Sequence, residues 1–92
     1  MRIALTDRFQ REVRALSSEQ RAALFEVLLG LSGALGDPHR HVGVGLRKLH
    51  ASGIWEARLG LGLRLVFGIE RDLATLTTVG THDDVRRYLK SL

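Results

Sequence analysis

Three residues in the last third of this 92-residue chain carry side chains suited to a phosphodiester: Arg64, His82 and Tyr88. Arg64 lies in the apolar run Leu63-Arg64-Leu65-Val66-Phe67. His82 lies in Gly80-Thr81-His82-Asp83-Asp84-Val85, and Tyr88 in Arg86-Arg87-Tyr88-Leu89-Lys90. An arginine opening one strand, a Gly-Thr-His ending the next and a basic closing helix form an order that could bring all three to one phosphate. Cleaving RNA through its own 2′-hydroxyl needs a base for that proton and an acid for the leaving 5′-oxygen. It also needs cations for the charge that develops on the phosphorus-bound oxygens. Histidine suits either proton role. Arg58 and Arg64 would hold the phosphate, with Glu56 and His82 as base and acid in either order. His50, at the end of its strand, is a further candidate.

The elements that must position these groups follow from periodicity. Arg2 to Leu5 reads as a strand, and Thr6-Asp7 is a helix N-cap signal. Phe9, Val13 and Leu16 follow at helical spacing, while Arg8, Arg11 and Arg14 fall on another, solvated face. Ser17 with Gln20 three residues later resembles a capping box, so a second helix starts there. Apolar residues surround much of its circumference, which predicts burial on more than one side. Gly33, Gly36 and Pro38 end it, and the two helices form an αα-hairpin. Gly36 to Gly45 reads as a loop rich in Gly and His. The period then turns from helical to alternating, giving strands at 46–50, 54–59, 63–69 and 73–80, with a turn at Arg71-Asp72. Thr81 or Asp83 caps a last helix. The order β-αα-ββββ-α predicts an α+β fold in one domain over residues 1–92. Its antiparallel sheet packs against the N-terminal αα-hairpin, with the helices on one face.

Register sharpens the site. Alternate strand residues face opposite ways. Trp55, Ala57 and Leu59 share one face, Glu56 and Arg58 the other. Leu63, Leu65, Phe67 and Ile69 share a face, with Arg64 and Val66 opposite. A three-residue loop Gly60-Leu61-Gly62 pairs Leu59 with Leu63 and Arg58 with Arg64, keeping both apolar sets on the core side. Two arginines then stand side by side on the open face. That arrangement is destabilising unless an anion lies between them, and Glu56 or a phosphate could be that anion.

Composition excludes several classes. There is no cysteine, hence no disulfide framework, zinc-thiolate site or thiol nucleophile. His39 and His41 lack companions for a metal site, and no metal or cofactor is expected. No apolar run approaches the roughly 20 residues of a membrane span. Arg2, Asp7 and Arg8 interrupt any N-terminal signal core, so no membrane association and a cytoplasmic location are expected. The net charge is +4, and twelve of the fourteen cations are arginine. Between Pro38 and Gly68 five cations (Arg40, Arg47, Lys48, Arg58 and Arg64) face Glu56 alone, so that segment carries the whole net charge. Such a balance suits nucleic acid or an acidic partner.

The layout, with Leu46-Arg47-Lys48-Leu49, Trp55-Glu56-Ala57-Arg58, Leu63-Arg64-Leu65-Val66-Phe67 and Gly80-Thr81-His82-Asp83-Asp84-Val85, resembles the RelE/ParE superfamily of bacterial toxins. The Gly-Thr-His strand end is similar to the YafQ-like group. The resemblance implies a type II toxin neutralised by a cognate antitoxin, in a complex that is oligomeric. In the nuclease branch it implies a ribosome-dependent mRNA endoribonuclease, acting without a metal, that stops translation and growth. Arg64 then matches the arginine on the scissile phosphate, Arg58 a basic site position, His82 a catalytic residue after the last strand, and Tyr88 a catalytic aromatic. Arg47, Lys48, His50, Arg86, Arg87 and Lys90 are expected to contact RNA. The ParE branch implies a different activity, inhibition of DNA gyrase without catalysis. An inactive toxin-like protein is the third reading. His82 favours the nuclease branch, since a pure inhibitor has no use for a proton-transfer group.

Overall fold

A computed structural model of the chain describes residues 2–36, 46–50 and 53–92. The chain begins with β1 (Arg2–Leu5), α1 (Asp7–Ala15) and α2 (Ser18–Gly36). Four strands follow: β2 (Leu46–His50), β3 (Ile54–Gly60), β4 (Leu63–Glu70) and β5 (Leu73–Thr81). Helix α3 (His82–Lys90) closes it. The loop expected at 36–45, with His39, Arg40 and His41, lies beyond Gly36 outside the described residues. No described helix is long and apolar enough to cross a membrane.

Local chemistry explains the helix starts. The Thr6 hydroxyl accepts from the Phe9 N–H at 3.1 Å and donates to β5 carbonyls at Leu76 and Thr77, so one residue caps α1 and fixes it to the sheet. At α2 the Ser17 hydroxyl accepts from the Gln20 N–H while the Gln20 side chain accepts from the Ser17 N–H, at 3.1 and 2.8 Å. That is the reciprocal box read from the sequence. Phe9, Leu24 and Leu31 carry the hairpin onto Ala57, Leu59, Leu63, Leu65, Phe67, Leu76 and Val79. Trp55 packs against the rim of this core.

The sheet order is β1-β5-β4-β3-β2. β2 to β5 are antiparallel neighbours, as expected. β1 departs from the expected antiparallel arrangement: it joins the edge parallel to β5, pairing Arg2–Leu5 with Leu73–Leu76. A long connection permits the parallel direction, which a tight turn would not, and the whole αα-hairpin and three strands intervene before β5 returns beside β1. Past Leu76, β5 has no strand on that side among the described residues. There the Glu12 carboxylate of α1 accepts from the Thr78 hydroxyl (2.8 Å) and the Val79 N–H (3.2 Å), so a side chain supplies the acceptor a neighbouring strand would have offered.

Three further expectations are corrected. The β3–β4 connection is shorter than three residues: Gly60 pairs with Leu63, and a bulge follows Arg58. The turn residues Leu61 and Gly62 have φ +54° and +74°, and Gly60 has φ +79°, the positive values that a two-residue type I′ turn and its adjoining bulge require. The bulge restores the register, so Arg58 still pairs with Arg64. Secondly, over residues 18–31, whose side chains are described, α2 is buried on one side: Leu24 and Leu31 are buried, whereas Phe25 and Leu29 are 61% and 71% exposed. Thirdly, the helices do not all share one face. A Cβ on Gly80 would point to the Arg64 face, since the two are direct partners, and would meet Asp84 at 2.8 Å. Helix α3 therefore crosses the face opposite the hairpin, where Val66 and Thr78 are buried, and its own Val85 is buried too.

Leu61 holds a left-handed conformation that costs an L-residue about 1–2 kcal/mol, while its side chain is largely exposed. Leu61→Asn is expected to raise stability by about 0.5–1 kcal/mol, seen as a higher urea midpoint with an unchanged slope. A lower midpoint would contradict this reading of the turn.

Candidate functional site

The arginines fall on the face that α3 partly covers. Across the sheet, Arg47, Glu56, Val66 and Thr78 form one row, and Arg58, Arg64 and Gly80 the next. Arg58 and Arg64 stand directly opposite each other, as their sequence spacing predicts. The anion between arginines is Glu56, paired with Arg64 as expected, while its second partner is Arg47 instead of Arg58. Its Oε1 accepts from Arg64 Nη1 at 2.9 Å, and its Oε2 faces Arg47 Nε at 3.6 Å. Arg58 is exposed and has no ion pair among the described residues. Register explains the choice, because Arg47 is Glu56's direct cross-strand partner and Arg64 its diagonal one, both within reach of long side chains. Glu56 keeps only 5% of its side chain exposed and Arg64 27%, against 70% for Arg47. This face is thus not the open surface expected at Glu56 and Val66. It is a shallow seat with a buried carboxylate under it. Three arginines against one glutamate leave it two net positive charges, a match for an anion.

His82 comes from the neighbouring strand end. Gly80 lies directly across from Arg64, and His82 follows it by two residues, exposed at the start of α3. Its position depends on the cap before it. The Thr81 hydroxyl accepts from the Asp84 N–H and Asp84 Oδ2 accepts from the Thr81 N–H, at 3.2 and 3.0 Å. Arg87 pairs with the other Asp84 oxygen. The Thr81 N–H above all, then its hydroxyl, and Arg87 beside them hold the Asp84 carboxyl below its ordinary value. A depressed folded pKa means that the stabilisation is complete above the unfolded value and is lost as pH falls through the folded one. Acidification below pH about 4 is therefore expected to fray the first turn of α3 and free His82. A carboxyl-carbon NMR titration of Asp84 checks this, and a midpoint at the ordinary aspartate value would contradict it.

The remaining sequence candidates are dispersed. Tyr88 does not join Arg64. Its ring lies under the Arg8 guanidinium, 4.7 Å from charge to centroid, in a groove of about 620 Å³ between α1, the helical turn and α3, with Glu12, Leu16, Gln20 and Leu63 also on its walls. A single convergence of Arg64, His82 and Tyr88 is thereby corrected. Lys48 pairs with Trp55 and so faces away from Arg47. His50 pairs with Ile54, and its side chain lies outside the described residues. Arg86, Arg87 and Lys90 are exposed on α3. The solvated face expected for Arg8, Arg11 and Arg14 holds for the latter two, while Arg8 also meets Glu12 at 3.5 Å. Sequence reasoning missed Glu12 altogether. Its spacing of four from Arg8 on a helix was the available signal.

A five-stranded sheet with one parallel edge strand, an αα-hairpin on one face and a C-terminal helix across the other has the architecture of the RelE-like toxins, and the chain has that fold. Similar solved structures include the RelB–RelE antitoxin–toxin complex from Methanococcus jannaschii (TM-score 0.68, 10% identity, 92% of this chain and 96% of that one). YafQ from E. coli gives a TM-score of 0.65 at 18% identity over 92% and 98%. The YoeB–YefM toxin–antitoxin heterotetramer from Staphylococcus aureus gives 0.62 at 14% over 89% and 97%. No protein-family model matches the chain, and no curated protein matches it in sequence.

Proposed function

We propose that this chain is the toxin of a toxin–antitoxin pair and that it cleaves messenger RNA on the ribosome. The observation that carries the reading is the arginine seat: Arg58 and Arg64 face each other with two uncompensated positive charges, and His82 follows Arg64's partner Gly80 by two residues. The fold shared with toxins solved beside their antitoxins supports a cognate antitoxin as partner.

In this reading the scissile phosphodiester lies on Arg58 and Arg64, which take up the charge of the phosphorane. The 2′-oxygen attacks phosphorus and its proton passes to solvent. The bond from phosphorus to the 5′-oxygen breaks, and His82 hands that oxygen a proton. The products are a 2′,3′-cyclic phosphate and a 5′-hydroxyl, and no step requires a metal. Exposed Arg47, Arg86 and Lys90 supply further phosphate contacts, whose strength falls with salt.

Adding the purified protein to a translating extract tests the reading. The expected result is new 5′-hydroxyl transcript ends within ribosome-bound messages. Intact transcripts together with gyrase-dependent DNA breaks would overturn it in favour of a gyrase inhibitor. Neither effect, at full solubility, would overturn both.

A further inference from the structure

Glu56 is the buried carboxylate among the described residues, and the proton scheme above does not use it. A general base must bring a free oxygen within hydrogen-bond reach of the hydroxyl it deprotonates. Both Glu56 oxygens face arginines: Oε1 accepts a hydrogen bond from Arg64 Nη1 at 2.9 Å, and Oε2 forms an ion pair with Arg47 Nε at 3.6 Å. At 5% side-chain exposure it also has almost no surface for substrate to approach. The Arg64 guanidinium carries five donors in a planar fork. Tying Nη1 from below fixes the plane of that fork while other donors remain for a phosphate.

We propose that Glu56 is a positioning residue, a buried counter-ion that fixes the Arg64 guanidinium for phosphate and takes no part in proton transfer. This rests on the reading of the seat given above. A fixed fork meets the phosphate without ordering a long side chain at the moment of reaction, whereas misplacement by about 1 Å costs on the order of a hundredfold.

The test uses the full chain, with Glu56→Gln and Glu56→Ala, in two assays. In the first, transcript cleavage is followed against pH. Gln keeps an acceptor oxygen in place, so cleavage should stay within about fivefold of wild type with an unchanged pH profile, whereas Ala should lose about 10–100-fold. Loss of about a hundredfold or more in Gln, together with a lost limb of the pH profile, would mark Glu56 as a proton acceptor and overturn the proposal. In the second, NMR follows rotation of the Arg64 guanidinium in the absence of RNA. Slow rotation in wild type and Gln is expected, and fast rotation in wild type overturns the proposal whatever the protein cleaves. Should Glu56→Ala fail to fold, wild type and Gln decide the question. A wild-type protein that cleaves nothing would sink the nuclease reading, and the guanidinium rotation would then judge this one alone.

Discussion

Arg64→Ala is expected to abolish growth arrest on induction and to lower transcript cleavage by about a hundredfold to a thousandfold, the usual effect of deleting one preorganised donor to a developing negative charge. The size follows from placement. Arg64 is the least exposed of the three seat arginines whose burial is described, it is held by Glu56 at 2.9 Å, and it faces Arg58 across the β3–β4 ladder. Arg64→Lys should restore little, since an ammonium cannot both engage Glu56 and present a fork to phosphate. Deleting Arg64 also leaves Glu56 buried with only Arg47, a change costing up to about 3–5 kcal/mol, so the activity must be read alongside circular dichroism and a melting curve. Arg58→Ala is the cleaner companion. Arg58 is exposed without an ion pair among the described residues, so stability should hold or rise slightly as the opposed charges separate, while cleavage falls. His82→Ala belongs in the same experiment. Full toxicity in both Arg64→Ala and His82→Ala would refute the site.

Phe67→Ala is expected to destabilise the protein by about 3–5 kcal/mol. Phe67 is fully buried on β4, the strand flanked by β3 and β5, within the cluster that joins the hairpin to the sheet. A domain of this size has about 5–15 kcal/mol in hand. At about 4–8 °C per kcal/mol, the melting temperature should drop by roughly 12–40 °C. The variant should therefore lose its growth effect through unfolding, with no change in the seat itself. A melting temperature within a few degrees of wild type would show that the core lies elsewhere.

How far these residues could be read from the sequence depends on what fixes each one. Arg58 opposite Arg64 was legible because strand alternation and a buried apolar face admit few registers. The Thr6, Ser17 and Thr81 caps were legible because capping is local chemistry. The turn was misjudged by one residue, since a bulge conserves facing while changing loop length. The direction of β1 and the face chosen by α3 were invisible, because both are set by contacts across the sheet: β1 with β5, and Asp84 against the bare Cα of Gly80. Glu56 was recognised as a charge partner, yet its attachment to Arg47 rather than Arg58 required the β2–β3 pairing. Tyr88 looked equivalent to His82 in sequence. Six residues of helix rotation separated them and turned the tyrosine to Arg8.

The Glu12 contact has a consequence for how this sheet can be disturbed. From Thr77 to Thr81 the outer rim of β5 is held by side chains: the Thr6 hydroxyl on the Thr77 carbonyl, the Glu12 carboxylate on Thr78 and Val79, and Asp84 on the Thr81 N–H, and that same stretch carries Gly80 and leads to His82. An edge pinned by side chains can release contact by contact, and the Glu12 contact at Val79 lies one residue from Gly80, the partner of Arg64. A shift of α1 is thus expected to reach Gly80 and His82 through Glu12, and Arg64 through its pairing with Gly80.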